Sequence, residues 1–504
     1  MTKNHYINFK MNRCSFSFFL LIILASIFLR LIFLEAPLQS DDTSYFSLAK
    51  SYSSSMLKSA HSQISYRTGL FAPILFFQKV IGFNIFSYYA SSLFCYLLLI
   101  FSIYFVAYKT RGIFVATFSV TIASSSSLIL KTTSNLLPDA LCFSFCLLAF
   151  TFFYLARRKS KHFIGLFIVL SAFLGFYGYM VRFTGLIFLV CIPIYEIIRY
   201  RSLKHTIIFL FFFLIFLIIE IIYFWIMVGD PFSRFKIIFY ATSGWSKYMH
   251  PISFKQYVFH PLRILLGSFS GKFFSILGFI GFAISIKKKD WWLFSILCGA
   301  IILFMLYSYS VTSISPLIRT LPLHSRYILP FTVSLALSSA YFIYIIYNWI
   351  ANRLKTKCAY LAIGMLLALV TLFQVRELPK RIPGAILFGN DSYFITNRLL
   401  QYRLLNLDIN QNEPVYAFPL KDFILYKNFR KLNLKNYNPS KINLCSDDVV
   451  LFSKFRVRRS LYYAEIRNDI KTINSLKHLA IDNNPGLDYI IDGGDIILAR
   501  VEGF

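Results

Sequence analysis

Long apolar runs alternate with short basic segments up to about residue 375, and that alternation predicts helices packed together in a membrane. A helix needs about 20 apolar residues to cross a bilayer. Runs of that order fall at 14–34, 85–108, 113–130, 137–155, 163–179, 184–198, 206–228, 265–286, 291–310, 327–347 and 358–375, which predicts about eleven spans. The runs at 113–130, 163–179 and 184–198 are short, so ten or twelve spans stay open. The first run follows Lys3, Lys10 and Arg13 but is too long for the core of a signal peptide, and it reads as a retained anchor. Beyond residue 375 the apolar runs shorten and turn residues appear, as in "NYNPS", "DNNPG" and "DGG". Strand-like pieces, "PVYAF", "DVVLF" and "IIDGGDIILARV", alternate there with helical patterns around "KDFILYKN" and "RNDIKTINSLKHL". The pattern therefore predicts a mainly α transmembrane bundle over 1–375 followed by a small α/β domain over 376–504. Gly493-Gly494 between two apolar runs predicts a hairpin.

Charge gives the bundle a direction. The chain is 57% hydrophobic, only 15% charged, and carries a formal net charge of +30. Its acids are divided unevenly: 8 of 22 precede residue 376 and 14 follow it, leaving the bundle almost without negative charge. With the N-terminus inside, the inner segments 1–13, "KTRG", "ARRKSKH", "RYRSLKH", "IKKKD" and "NWIANRLKTKC" hold 18 basic residues. The outer loops hold 12 over about twice that length, as the positive-inside rule requires. This orientation puts the loop after the first span outside, and an odd number of spans puts the tail there too. Because the basic excess sits in short loops, nucleic acid is a poor partner, and anionic lipids and phosphorylated lipid substrates are better ones. The eight cysteines are spread through apolar runs and their flanks, apart from Cys445, and form no disulfide or metal spacing.

Once sidedness is set, the outer ends of the spans collect polar residues that packing does not require. The first loop contributes Asp41, Asp42, Tyr45, His61 and Arg67; "NLLPDALCF" contributes Asp139; "YGYMVRFTG" contributes Arg182; and "SPLIRTLPLHSRYILP" contributes His324, Arg326 and Tyr327. Glu220 lies within the seventh span. Each has a plainer explanation. The acid pair and Asp139 suit the start of a helix. The arginines suit interfacial anchoring, and the tyrosines an aromatic belt. The histidines suit local hydrogen bonding, and Glu220 a bond to a neighbouring helix. Their collection on one face is what the plain explanations leave over.

The set resembles the GT-C superfamily of membrane glycosyltransferases, in the branch of protein O-mannosyltransferases and lipid A aminoarabinose transferases (glycosyltransferase family 39-related). "DDTSY" follows the first span where the family has an acidic pair, although the usual Asp-Glu is here Asp-Asp. "LLPDALCF" resembles its P-D step, "GYMVRFTGLIFL" its R-x-T-G turn, and "HSRYILPF" its late H-x-R-Y-x-x-P element. The resemblance covers about residues 10–375. It implies transfer of a sugar from a polyprenyl-phosphate carrier to a hydroxyl of a lipid, glycan or protein acceptor, on the outer face of the plasma (inner) membrane, by a single inverting displacement. It further implies Asp41 as base, Asp42 as its positioning partner and Asp139 as a sugar or acceptor ligand. Arg182 and Arg326, with Tyr327, would hold the lipid phosphate, and Tyr45, Arg67 and His324 would complete the substrate site. No nucleotide is needed, and no glycine-rich phosphate loop occurs. Members of the superfamily differ in whether they bind a divalent metal, so a metal stays open. Two other activities share many spans and outward arginines: a lipid-linked oligosaccharide flippase or transporter, and a polysaccharide polymerase. The chain shows no internal repeat or matched broken helices of the kind transporters use, and the early acid pair argues against the polymerase.

Overall fold

The computed structural model describes residues 13–34, 41–58, 63–158, 163–246, 252–268, 272–314, 317–319 and 325–352, scattered positions between 364 and 382, and five strands between 414 and 501. The first helix, α1 (Arg13–Ile32), is followed by three short ones, α2 (Asp41–Lys50), α3 (Ser54–Lys58) and α4 (Thr68–Ile81). Four helices then carry the chain to about residue 158: α5 (Ile85–Arg111), α6 (Ile113–Ser124), α7 (Ser127–Ser134) and α8 (Pro138–Ala156). The return passes through α9 (Ile164–Val181), α10 (Thr184–Phe188), α11 (Cys191–Tyr200) and α12 (Lys204–Val228). The last part of the bundle comprises α13 (Ser233–Ser246), α14 (Phe254–Ser268), α15 (Lys272–Lys287), α16 (Trp291–Tyr309), a small antiparallel pair β1 (Val311–Ile314) and β2 (Leu317–Arg319), and α17 (Leu329–Ala351).

The protein is mainly helical and passes through the membrane several times. Among the described residues, six helices are long and apolar enough to cross: those at Phe86–Arg111, Pro138–Ala156, Ile164–Val181, Lys204–Val228, Trp291–Tyr309 and Arg326–Ala351. The run read as one span at 113–130 is instead two helices, α6 and α7, bent by 67° across Ser125–Ser126, and they make a seventh crossing if taken together. The run at 184–198 also divides, into α10 and α11. The apolar parts of α1 (Ile22–Ile32) and α15 (Phe274–Lys287) are shorter, and the run at 358–375 falls almost wholly outside the described residues. Helix α4 is an addition, because its 14 residues are too few for a span and hydropathy assigned their start to a loop.

Local chemistry explains several boundaries. Asn84 and Ser87 cap α5 reciprocally: Asn84 Oδ1 accepts the Ser87 N–H at 3.0 Å, and Ser87 Oγ accepts the Asn84 N–H at 3.3 Å. Gly112 takes φ +88° between α5 and α6, a backbone state that a side chain would strain. Pro138 starts α8, where its missing N–H costs no helix bond. Helices α8 and α9 approach closely because Gly178 faces Cys142 and Cys146; a Cβ there would meet Cys146 Sγ at 2.9 Å.

Buried charges fasten the bundle at both ends. Asp290 accepts from Tyr341 and pairs with Arg111. The wholly buried Glu196 accepts the N–H groups of His205 (3.1 Å) and Thr206 (2.6 Å), closing the turn between α11 and α12. Arg30 in α1 is also fully buried and donates to Thr133 O at 2.7 Å and Ser92 Oγ at 3.2 Å. Lone buried charges would be expensive, so such partners are required.

In the tail, five strands form one sheet: β3 (Pro414–Phe418), β4 (Asn433–Asn436), β5 (Val449–Ser453), β6 (Leu487–Gly493) and β7 (Ile496–Val501), in the order β4-β3-β5-β7-β6. β4, β3 and β5 run parallel, while β7 is antiparallel to β5 and β6. The Gly493↔Ile496 pairing closes the hairpin expected there. The tail's expected helices lie outside the described residues.

Candidate active site

The acid pair opens α2, so the segment "DDTSYFSLAK" is a helix and Asp41 and Tyr45 stand one turn apart. The two acids face different surroundings. Asp41 keeps about a third of its side chain exposed and accepts a hydrogen bond from Arg326 Nη2 at 3.1 Å. Asp42 is fully buried and accepts the Tyr88 hydroxyl at 2.7 Å, while that hydroxyl accepts the Leu136 N–H at 3.2 Å. Tyr88 thus ties the acid helix to the segment leading into Pro138-Asp139.

Asp139 lies in the first turn of α8 and pairs with Arg182, in the turn between α9 and α10; both side chains are over nine-tenths buried. Arg182 sits under two rings. Its guanidinium carbon is 4.6 Å from the Tyr327 centroid and 5.6 Å from that of Tyr307, and the two rings stack at 4.4 Å. Arg326 occupies the 3-10 turn (Ser325–Ile328) before α17, with its guanidinium carbon 5.3 Å from the Tyr327 ring. One tyrosine therefore lies against two arginines, and each arginine has its own carboxylate. On the other flank Arg67 donates to the Tyr45 hydroxyl and stands 5.1 Å from its ring. Burial pushes the Tyr45 phenol from 10.0 up to about 12; Arg67 opposes that rise first, Asp41 adds to it, and Arg326 and Arg182 oppose it. Tyr45 is thus a neutral hydroxyl at physiological pH.

A narrow cleft opens beside these groups. Asp139, Arg182, Thr184, Tyr307 and Tyr327 make its polar wall, and Phe143, Phe188, Leu303 and Pro330 an apolar one. Two guanidiniums beside a dry wall form a site for a multiply charged anion carried on an apolar chain. An accessible carboxylate, Asp41, stands on the same cluster. Asp41, Asp42, Tyr45, Arg67, Asp139, Arg182, Arg326 and Tyr327 thus converge from five segments, whereas His324 and His61 lie outside the described residues. A divalent cation fits poorly. Among the described residues no three His, Cys, Asp or Glu side chains gather to ligate one, and Asp41 and Asp139 each face a guanidinium.

The sequence signals missed Tyr88 and Tyr307, since a tyrosine inside a long apolar run looks like any other core aromatic. Glu220 was visible as an acid within a span, but its partner was not. That partner is Arg234, in α13, which also donates to Tyr179 O at 2.8 Å and Met180 O at 3.2 Å.

Comparison with known proteins bears on the fold that carries these residues. The profile of a family described as Dolichyl-phosphate-mannose-protein mannosyltransferase matches residues 70–225, the stretch that holds Tyr88, Asp139, Arg182 and Glu220. No curated protein matches the chain in sequence. In fold, the chain is similar to ArnT from Cupriavidus metallidurans in the apo state, with TM-score 0.62, 11% identity, and coverage of 96% of this chain and 98% of that one. It is similar to ArnT from the same organism bound to undecaprenyl phosphate, with TM-score 0.56, 10% identity, and coverage of 96% and 98%. The Archaeoglobus fulgidus oligosaccharyltransferase in complex with Zn and sulfate aligns with TM-score 0.52 at 11% identity, over 95% of this chain and 73% of that one. The chain therefore resembles these proteins in fold, and residues 70–225 also match the family profile.

Proposed function

We propose that this protein is an integral-membrane glycosyltransferase that moves a sugar of the hexose class from a polyprenyl-phosphate carrier to an acceptor hydroxyl, on the extracytoplasmic face of the plasma membrane. The observation that carries this is the convergence of Asp41, Asp139, Arg182 and Arg326 around one tyrosine, beside a cleft with an apolar wall. The ArnT fold, one example of which holds undecaprenyl phosphate, supports the choice of carrier. The basic inner loops support the sidedness, with the N-terminus cytoplasmic and the tail outside as a small α/β domain.

The chemistry follows from the residues. The acceptor oxygen attacks the anomeric carbon on the face opposite the phosphate, and Asp41 takes the hydroxyl proton as the bond forms. The bond between the anomeric carbon and the phosphate oxygen breaks, and its electron pair stays on that oxygen. Arg182 and Arg326 meet the charge that develops on the carrier phosphate, in a place where little water competes. Tyr327 aligns both guanidiniums, and Tyr45, held neutral by burial, donates a hydrogen bond to the sugar or phosphate. Asp42, held by Tyr88, fixes the angle of α2 and so the reach of Asp41. Attack from the face opposite the leaving group inverts the anomeric centre.

Purified protein in liposomes tests the proposal against a flippase. Incubation with polyprenyl-phosphate sugars extracted from cells should release polyprenyl phosphate and glycosylate an added envelope acceptor, with no lipid crossing the bilayer. Movement of the lipid-linked sugar between leaflets without transfer would overturn it. Extension of a glycan by whole repeat units would identify a polymerase instead.

A further inference from the structure

Among the described residues, the buried clusters outside the groups just described include Arg30 with Thr133 and Ser92, Glu196 with Thr206 and His205, and Glu220 with Arg234. The third reaches the site. We propose that Glu220 and Arg234 are positioning residues that fix Arg182, the cation assigned above to the carrier phosphate, and that they act on donor binding through that residue alone. The proposal rests on that assignment of Arg182.

The argument begins at the end of α9. The last carbonyls of a helix lack intrahelical partners, and here that end is buried, so something must satisfy them. Gly178 O is taken by the Arg182 N–H at 3.0 Å, as the chain turns to extended geometry at Arg182 (φ −159°, ψ 130°). Tyr179 O and Met180 O come next, and both are taken by Arg234 Nη2. A guanidinium from α13, 55 and 54 residues along the chain from those carbonyls, thus terminates α9 just before Arg182. Its ring contact with Tyr179, 4.5 Å from guanidinium carbon to centroid, holds the same turn from the side.

Glu220 fixes Arg234 in turn. The two form an ion pair with both side chains about 2% exposed, so the orientation of the guanidinium is set by the protein and not by water. One turn further along α12, Tyr223 hydrogen-bonds Tyr52 at 2.8 Å, just after the acid helix α2. The outer end of α12 therefore anchors the segment that carries the acids and the turn that carries Arg182. Gly69 lets α4 pack closely on the same end of α9, because a Cβ there would meet the Val181 nitrogen at 2.8 Å. An acid within a span here has a structural duty directed at one site residue.

A double-mutant cycle read by carrier binding tests this. The full-length protein in nanodiscs is titrated with undecaprenyl phosphate, using the wild type, Glu220→Gln, Arg182→Ala, Arg326→Ala and the two doubles that contain Glu220→Gln. Glu220→Gln alone should raise Kd about tenfold, the scale on which small misplacements of a charge-assisted contact act. Combined with Arg182→Ala it should add nothing further, whereas with Arg326→Ala its effect should multiply in full. Arg234→Lys, which keeps the ion pair and loses the planar fork on the α9 carbonyls, should follow the same pattern and serves where Glu220→Gln fails to assemble. A Glu220→Gln effect that multiplies equally with both arginine variants, or an unchanged Kd, would overturn the positioning role. Unchanged binding in Arg182→Ala itself would instead remove the phosphate role on which the proposal rests.

Discussion

Asp139→Asn keeps the size of the side chain and removes its charge, which makes it the sharpest probe of the Arg182 pair. Both partners are over nine-tenths buried, so water cannot take the place of the lost carboxylate. Breaking a buried ion pair from one side costs about 3–5 kcal/mol, because the remaining charge stays in a poor solvent. The asparagine oxygen still accepts a hydrogen bond, and the Tyr307 and Tyr327 rings still face the guanidinium, which places this case near the lower end, about 3 kcal/mol. If Arg182 binds the carrier phosphate, an added phosphate returns the missing negative charge. Bound lipid stabilises each protein according to its own affinity, so the gap narrows by as much as the variant, with its uncompensated guanidinium, holds the phosphate more tightly than the wild type does. Thermal unfolding in detergent, with and without undecaprenyl phosphate, reads both effects. The variant should melt well below the wild type without lipid, and saturating lipid should narrow the gap. Equal melting without lipid would show that the pair contributes nothing. A gap that stays the same or widens with lipid would refute the phosphate role of Arg182.

Other expectations follow from the same geometry. Asp41→Asn should abolish transfer with the protein inserted and undecaprenyl phosphate still bound, whereas near-normal turnover in both Asp41→Asn and Asp42→Asn would refute the choice of base. Tyr88→Phe keeps the ring contacts with Phe46 and Tyr89 but removes the bond to a buried carboxylate, a loss of about 1.5–3 kcal/mol. It should lower the melting temperature and reduce turnover more than donor affinity; unchanged melting would remove its role as a tie. Tyr45 has a raised pKa in the folded state, so its contribution to stability is whole below pH 10 and is lost as pH rises towards about 12. Between pH 9 and 12 the wild type should therefore lose more melting temperature than Tyr45→Phe, and parallel curves would refute the burial argument.

Much of this was legible in the chain because membranes impose simple rules. Apolar length located α5, α8, α9, α12, α16 and α17, and the basic loops supplied an expected orientation. The outer-face acids and arginines could then be collected as one set before their contacts were known. Pairings were not legible: nothing in one dimension links Asp41 to Arg326, 285 positions later, or separates Asp42, turned inward to Tyr88, from its neighbour. The serine-rich bend between α6 and α7 was hidden because hydropathy is blind to direction. Helix α4 fell below the length of a span, and Glu220 gave no sign that its partner lay in the next helix, α13. Polar residues in apolar surroundings announce themselves, but the packing that joins them does not.

The most direct measurement compares envelope glycolipids and glycans, by mass spectrometry, from cells carrying the wild-type gene and cells carrying Asp41→Asn at the same protein level. One sugar should disappear from one envelope product, while the matching polyprenyl-phosphate sugar accumulates. Identical profiles in the two strains would contradict the account.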